Sequence, residues 1–262
     1  MDMTTLARLE HENMLAAMSL FCGQVSGSRV ESRDGVTLIA TGLPLRLFNQ
    51  VLVEGDDAPA GAIGAAVAVT RGRGDRFVVN LRGGTDDRHL GAVEQLGLVP
   101  FPDNPWMPGM ALHPLPPVGG TAVAAGHEIR PVTDAQGMED HRRTAAAGFE
   151  MPLEWLETVM TQAVSENPAV AVYVGYTDGL PVTTGLGMRT GRTIGVYNIS
   201  TVESARRKGY GAAMTARIVD DGAAAGCDVA ILQASEMGYP IYERLGFRTV
   251  VEYMGYVEAE EP

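Results

Sequence analysis

The sequence predicts an α/β (α+β) protein made of two related halves. Segments with the apolar spacing of helices alternate with short β-prone runs along the whole chain. A stretch dense in proline and glycine, FPDNPWMPGMALHPLPPVGG at 101–120, interrupts them, and its end, HPLPPVGG, reads as an interdomain linker. The order of elements repeats on its two sides. A small-residue helix leads to RFVVNLR and HLGAVEQLGLV in the first half, and another leads to DVAILQA and YPIYERLGFRTV in the second. The expected boundaries are a first domain at 1–118, a linker at 119–126 and a second domain at 127–262.

Each element has its own warrant. Residues 3–22 space Leu6, Leu9, Met14, Leu15, Met18 and Phe21 along an amphipathic helix. Acidic residues and no lysine precede its apolar stretch, which is unlike a secretory leader. GVTLIA and NQVLVE, separated by Gly and Pro, read as strands. APAGAIGAAVAVT reads as a small-residue helix and DRFVVNLR as a strand. DDRHLGAVEQLGLV reads as a helix whose leading aspartates complement the helix dipole. Past the linker, HEIRPV is a short strand, and residues 134–148 and 152–164 are helices, with Pro152 at an entry position. AVAVYVGYTDGLPVTTGLGMRTGRTIGVYNISTV gives three strands, turned at TDG and TGR. GYGAAMTARIVDDGAAAG is a helix closed by Gly226, DVAILQA a buried strand, YPIYERLG a short helix and FRTVVEYMGYV the last strand.

Composition excludes several classes. The chain has 262 residues, 45% of them hydrophobic, and a formal net charge of −12. That charge argues against sequence-independent binding to nucleic acid, and by long-range steering it favours a cationic partner. Cys22 and Cys227 are the two cysteines and lie far apart in sequence, which suits a reducing cytoplasm. The five histidines are scattered, and LEHENML fails the HExxH zinc pattern because position 15 is leucine. No metal site is therefore expected. No apolar run approaches the roughly 20 residues of a membrane span, so a cytoplasmic protein is expected. RGRGDR at 71–76 imitates a phosphate loop, but it leads into a strand and reads as a hairpin or a helix exit.

The chemistry concentrates at RRKGYGAAMTARI, Arg206 to Ile218. Three cationic side chains, Arg206, Arg207 and Lys208, lead through Gly209, Tyr210 and Gly211 into a helix. A helix N-terminus has unsatisfied N–H groups and a partial positive charge. Glycines let a ligand approach that backbone, so the site suits a pyrophosphate. Met214 stands where a dinucleotide fingerprint needs its third glycine, and GK[ST] occurs nowhere.

A strand, R-x-x-G-x-G, a helix, a strand, then IYERLGF and a final strand resembles the GNAT superfamily of N-acetyltransferases over roughly residues 127–257. The first half resembles a degenerate copy without the pyrophosphate loop. The resemblance implies a tandem chain, each half a mixed, largely antiparallel sheet flanked by helices. It implies acetyl-CoA, or another acyl-CoA, as co-substrate and a primary amine of a small molecule or protein as acceptor. Arg206, Arg207, Lys208, Gly209, Tyr210 and Gly211 would hold the pyrophosphate. The backbone near Ile199, Thr201 and Val202 would face the pantetheine arm. Tyr242 would protonate the departing thiolate, although a packing role for its ring stays open. Many members place asparagine seven residues before that tyrosine; here Ser235 stands there. The general base stays unassigned among Glu203, Glu236 and Glu150. A non-catalytic acyl-CoA-sensing or partner-binding module of the same fold is the alternative.

Overall fold

A computed structural model describes residues 1–55, 57–102, 106–117 and 126–259. The expected linker 119–126, apart from Gly126, lies outside the described residues, as do 103–105 in the proline-rich stretch. The first half supplies α1 (Met3–Cys22), β1 (Arg29–Arg33), β2 (Val36–Ala40), β3 (Asn49–Val53), α2 (Ala60–Arg73), β4 (Val78–Arg82), α3 (Leu90–Gln95), β5 (Leu98–Pro100) and β6 (Trp106–Leu112). The second supplies β7 (His127–Pro131), α4 (Ala135–Phe149), α5 (Leu153–Val159), α6 (Gln162–Glu166), β8 (Val170–Thr177), β9 (Leu180–Thr190), β10 (Thr193–Thr201), α7 (Tyr210–Ala224), β11 (Val229–Gln233), α8 (Tyr239–Arg244) and β12 (Arg248–Glu258).

Most elements lie where their patterns put them. The TDG turn puts Asp178 at φ +52° and Gly179 at φ +77°, the paired positive values of a tight hairpin. RGRGDR is a helix exit: α2 ends at Arg73, and Gly74 closes it at φ +74°. The helix expected over 152–164 is two helices, α5 and α6, broken between Val159 and Gln162.

The strands form one 12-stranded sheet in the order β1-β2-β3-β4-β12-β6-β11-β10-β9-β8-β7, with β5 also pairing β12. Each half contains one parallel pair, β3 with β4 and β10 with β11; the remaining pairs are antiparallel. The last strand of each half crosses to the other. Strand β6 lies between β11 and β12, and β12 pairs β4. The two halves thus share their central strands.

Strand β6 was not expected, because Pro108 and Gly109 argue against a central strand. Both have local reasons. The Pro108 carbonyl accepts from Ala234 N–H at 2.9 Å, so its missing donor faces β11 just beyond that strand's end at Gln233. At Gly109 a Cβ would stand 2.5 Å from both Glu10 Oε1 and Val251 Cγ1. The strand lacks a side chain there because a buried carboxylate occupies the space.

Helix α1 lies across the middle of the sheet, against β6, β10, β11 and β12. Its polar residues Glu10, His11 and Asn13 are buried. Glu10 accepts from Gln233 Nε2 at 2.5 Å and from the Tyr253 hydroxyl at 2.6 Å. His11 Nε2 meets the Val53 carbonyl at 2.7 Å, and Asn13 accepts from the Tyr197 hydroxyl at 2.6 Å. The stretch that fails as a zinc motif ties both halves together. The apolar core falls into three clusters: one under α2, one under α7, and one between α1, α4, α5 and the central strands.

Candidate active site

Strands β10 and β11 pair through Thr193, Ile194 and Gly195 with Val229, Ala230 and Ile231, and then part. Where they part, β10 is bulged between Tyr197 and Ser200, and Asn198 takes φ +55°. A cavity of about 570 Å³ lies at this opening. Ile199, Ser235 and Tyr242 line it, together with Met14 and Met18 of α1, Phe48, and Met160. Leu47, Trp106 and Phe149 line it too and are 50%, 45% and 40% exposed, so its rim is apolar and open to solvent. Both halves therefore supply its walls. Trp106 and Met107, from the proline- and glycine-dense stretch, reach it from β6.

Helix α7 begins beside the same strand. Gly209 caps it at φ +84°, and no side chain fills the cap. The N–H groups of Tyr210, Gly211 and Ala212 meet no acceptor among the described residues. Arg207 and Lys208 are exposed just before it. A Cβ at Gly211 would approach Ile199 and Thr201 at 3.7 Å, which places the first turn over β10. A helix start with open donors and two free cations fits a pyrophosphate.

Other expected residues are spent locally. Arg206 turns inward: it donates to the carbonyls of Gly148 at 2.9 Å and Thr201 at 3.2 Å, and pairs with Glu150 at 3.0 Å. The Tyr210 ring is buried and stacks on His127 at 4.2 Å between centroids, leaving only its backbone toward a ligand. The Val202 N–H donates to the Val182 carbonyl at 3.0 Å, and its own carbonyl accepts from Ala205 at 2.9 Å. Thr201 pairs Thr183 of β9, so of the three strand positions expected, Ile199 is the one that lines the cavity. The Ser235 hydroxyl accepts from Gly238 N–H at 3.2 Å and so helps start α8.

Tyr242 is buried at the cavity wall, and burial pushes its pKa up to about 12. Gly238, which sequence reasoning passed over, sets its position. A Cβ there would stand 2.8 Å from Tyr242 Cε2. Of the three carboxylates considered as bases, Glu150 pairs with Arg206, Glu203 is exposed, and Glu236 is exposed on the cavity lining.

Residues 128–250 match the family model described as an acetyltransferase (GNAT) domain. The chain carries a GNAT acetyltransferase domain. Solved structures share the fold over nearly the whole length. A GCN5-related N-acetyltransferase from Kribbella flavida aligns with TM-score 0.73 and 16% identity, covering 98% of this chain and 96% of that one. One from Sphaerobacter thermophilus aligns with TM-score 0.62 and 17% identity, covering 94% and 90%. A tandem GNAT protein from the clavulanic acid biosynthesis pathway aligns with TM-score 0.63 and 12% identity, covering 97% and 96%. No curated protein sequence matches the chain. The loop at Gly209, the strand opening and Tyr242 all fall within the GNAT segment. Among the described residues no helix is long and apolar enough to cross a membrane, and no cluster of His, Cys, Asp or Glu could hold a metal.

Proposed function

We propose that the chain is an acetyl-CoA-dependent N-acetyltransferase that acts on a primary amine. The observation that carries this reading is the parting of β10 from β11 beside an uncapped helix start, with a buried tyrosine on the opening. In this reading residues 127–262 hold the co-substrate, and residues 1–118 help wall the acceptor's side. Arg207 and Lys208, with the backbone N–H groups of Tyr210 and Gly211, bind the pyrophosphate. Ile199 and its strand guide the pantetheine arm. Arg206 acts as a positioning residue, holding the loop to Gly148 and Glu150.

Bound acetyl-CoA supplies the acyl carbon that the amine nitrogen attacks and the sulfur that leaves with the electrons of the broken C–S bond. Tyr242 keeps its proton across the working pH range, because burial raises its pKa to about 12. It gives that proton to the departing sulfur, and the proton that the acylated nitrogen sheds returns to the phenol, so that amine and thioester become amide and free thiol. The apolar walls exclude water from that exchange.

Calorimetry with acetyl-CoA on the wild type and on Gly211→Trp tests the reading. Gly211 is the better test position, since Gly209 at φ +84° would strain any replacement. Binding lost in the variant, with thiol release from the wild type and an amine, supports a transferase. A wild type that binds acetyl-CoA but releases no thiol with any amine would be a sensor, and one that binds none would remove both readings.

A further inference from the structure

The cavity's chemistry narrows the acceptor, given the transferase reading above. The net charge of −12 points toward a cationic partner, yet among the described residues the lining offers a single carboxylate, Glu236, on an exposed residue. A polycation would have to leave water for methionine, leucine and phenylalanine walls, at a large desolvation cost. A monoamine with an apolar body loses little there, and its nitrogen attacks only when neutral.

Such an amine needs an acceptor for its N–H at the reactive end. Most polar side chains of the lining are committed. Asn80 donates to Gln50 at 2.9 Å, Gln50 donates to the Leu47 carbonyl at 2.6 Å, and Gln233 donates to Glu10. Asn198 stands at the strand opening itself, and a buried neighbour fixes which way its amide faces. His141 is wholly buried, and burial pushes its pKa down to about 4, so its ring is neutral. Its Nδ1 lies 3.0 Å from the Tyr173 carbonyl, which can only accept, so Nδ1 carries the proton. Nε2 is then an acceptor, and Asn198 must present its NH₂ group to it at 2.8 Å. The Asn198 amide oxygen is left over, with no hydrogen bond among the described residues, on a residue that lines the cavity next to Ile199. The bulge at φ +55° that carries Asn198 stands where β10 leaves β11.

We propose that the cavity takes a primary amine with an apolar aliphatic or aromatic body, and that Asn198 positions it by accepting its N–H at Oδ1. Asn198→Gly is the telling variant, because glycine keeps the positive φ without strain and removes only the amide. Calorimetry on the full chain, with and without CoA, would compare 2-phenylethylamine with spermidine. The expected result is tighter binding of 2-phenylethylamine, weakened about tenfold in Asn198→Gly, with acetyl-CoA affinity held and the melting temperature lowered by the loss of the donor to His141. Tighter binding of spermidine, unchanged amine affinity in the variant, or no amine binding in either condition would overturn the proposal. So would octanoyl-CoA that binds far more tightly than acetyl-CoA and expels the amine, since the cavity would then be an acyl pocket. Acetyl-CoA binding is measured separately, so a failure of the transferase reading is told apart from a failure of the acceptor assignment.

Discussion

The Tyr253 hydroxyl on the last strand donates to Glu10 on the first helix at 2.6 Å, across 243 positions of chain and out of contact with water. Gln233 donates to the same carboxyl, so one buried acid gathers α1, β11 and β12. Burial pushes Glu10 up to about 7 from its ordinary 4.5.

That acid makes stability depend on pH in a defined sense. The folded protein holds the Glu10 proton more tightly than the unfolded chain does. Its contribution is complete below about 4.5 and is lost as pH rises through about 7. His11 and His141 act oppositely: burial lowers both to about 4 from 6.5, so stability falls as pH drops through that window. Stability should peak at roughly pH 6.5. In urea denaturation, Glu10→Gln should gain on the wild type by up to about 3 kcal/mol between pH 5 and pH 8. A gap that does not change with pH would mean Glu10 is already ionised in the fold.

Gly109→Ala places a methyl 2.5 Å from Glu10 Oε1 and Val251 Cγ1. The expected cost is about 1–3 kcal/mol by urea denaturation. Combined with Glu10→Ala it should cost less than the sum of the single variants. Strict additivity would place the clash elsewhere.

Tyr242→Phe should lower kcat by about 100-fold while leaving acetyl-CoA affinity within a factor of about two. Gly238→Ala should lower kcat as well, because its methyl would stand 2.8 Å from Tyr242 Cε2 and displace the ring. Steady-state kinetics with any accepted amine decides. An unchanged rate in Tyr242→Phe would reduce the tyrosine to packing.

A fragment of residues 121–262 would lack β6 and so leave β11 and β12 without their common neighbour. It should be insoluble or inactive when expressed alone. A soluble, active fragment on size-exclusion chromatography would refute a shared core.

Much of the second half was legible in its sequence. Its hairpin turns, its glycine-opened helix and the apolar run of β11 are local signals, and each lies within a residue or two of its expected place. Strand β1 escaped because Arg29–Arg33 is charged and largely exposed, so it shows no buried alternation. Strand β6 escaped because Pro108 and Gly109 answer to neighbours distant in the chain. Glu10 reads as a surface charge in its helix, and only packing against β6 and β12 reveals it as buried. The glycine loop and Tyr242 were visible as motifs. Asn198 was not, since its orientation depends on His141, 57 positions away.

The exchanged strands also set an order of events during synthesis. Strand β4 leaves the ribosome about 165 residues before its partner β12, a wait of roughly 10–30 s at ordinary elongation rates. Strand β6 waits likewise for both of its neighbours. Through that interval the nascent first half carries raw sheet edges, open to pairing with another copy. Closure of the first half therefore waits for β12, and a chain stopped short of that strand would be left adhesive.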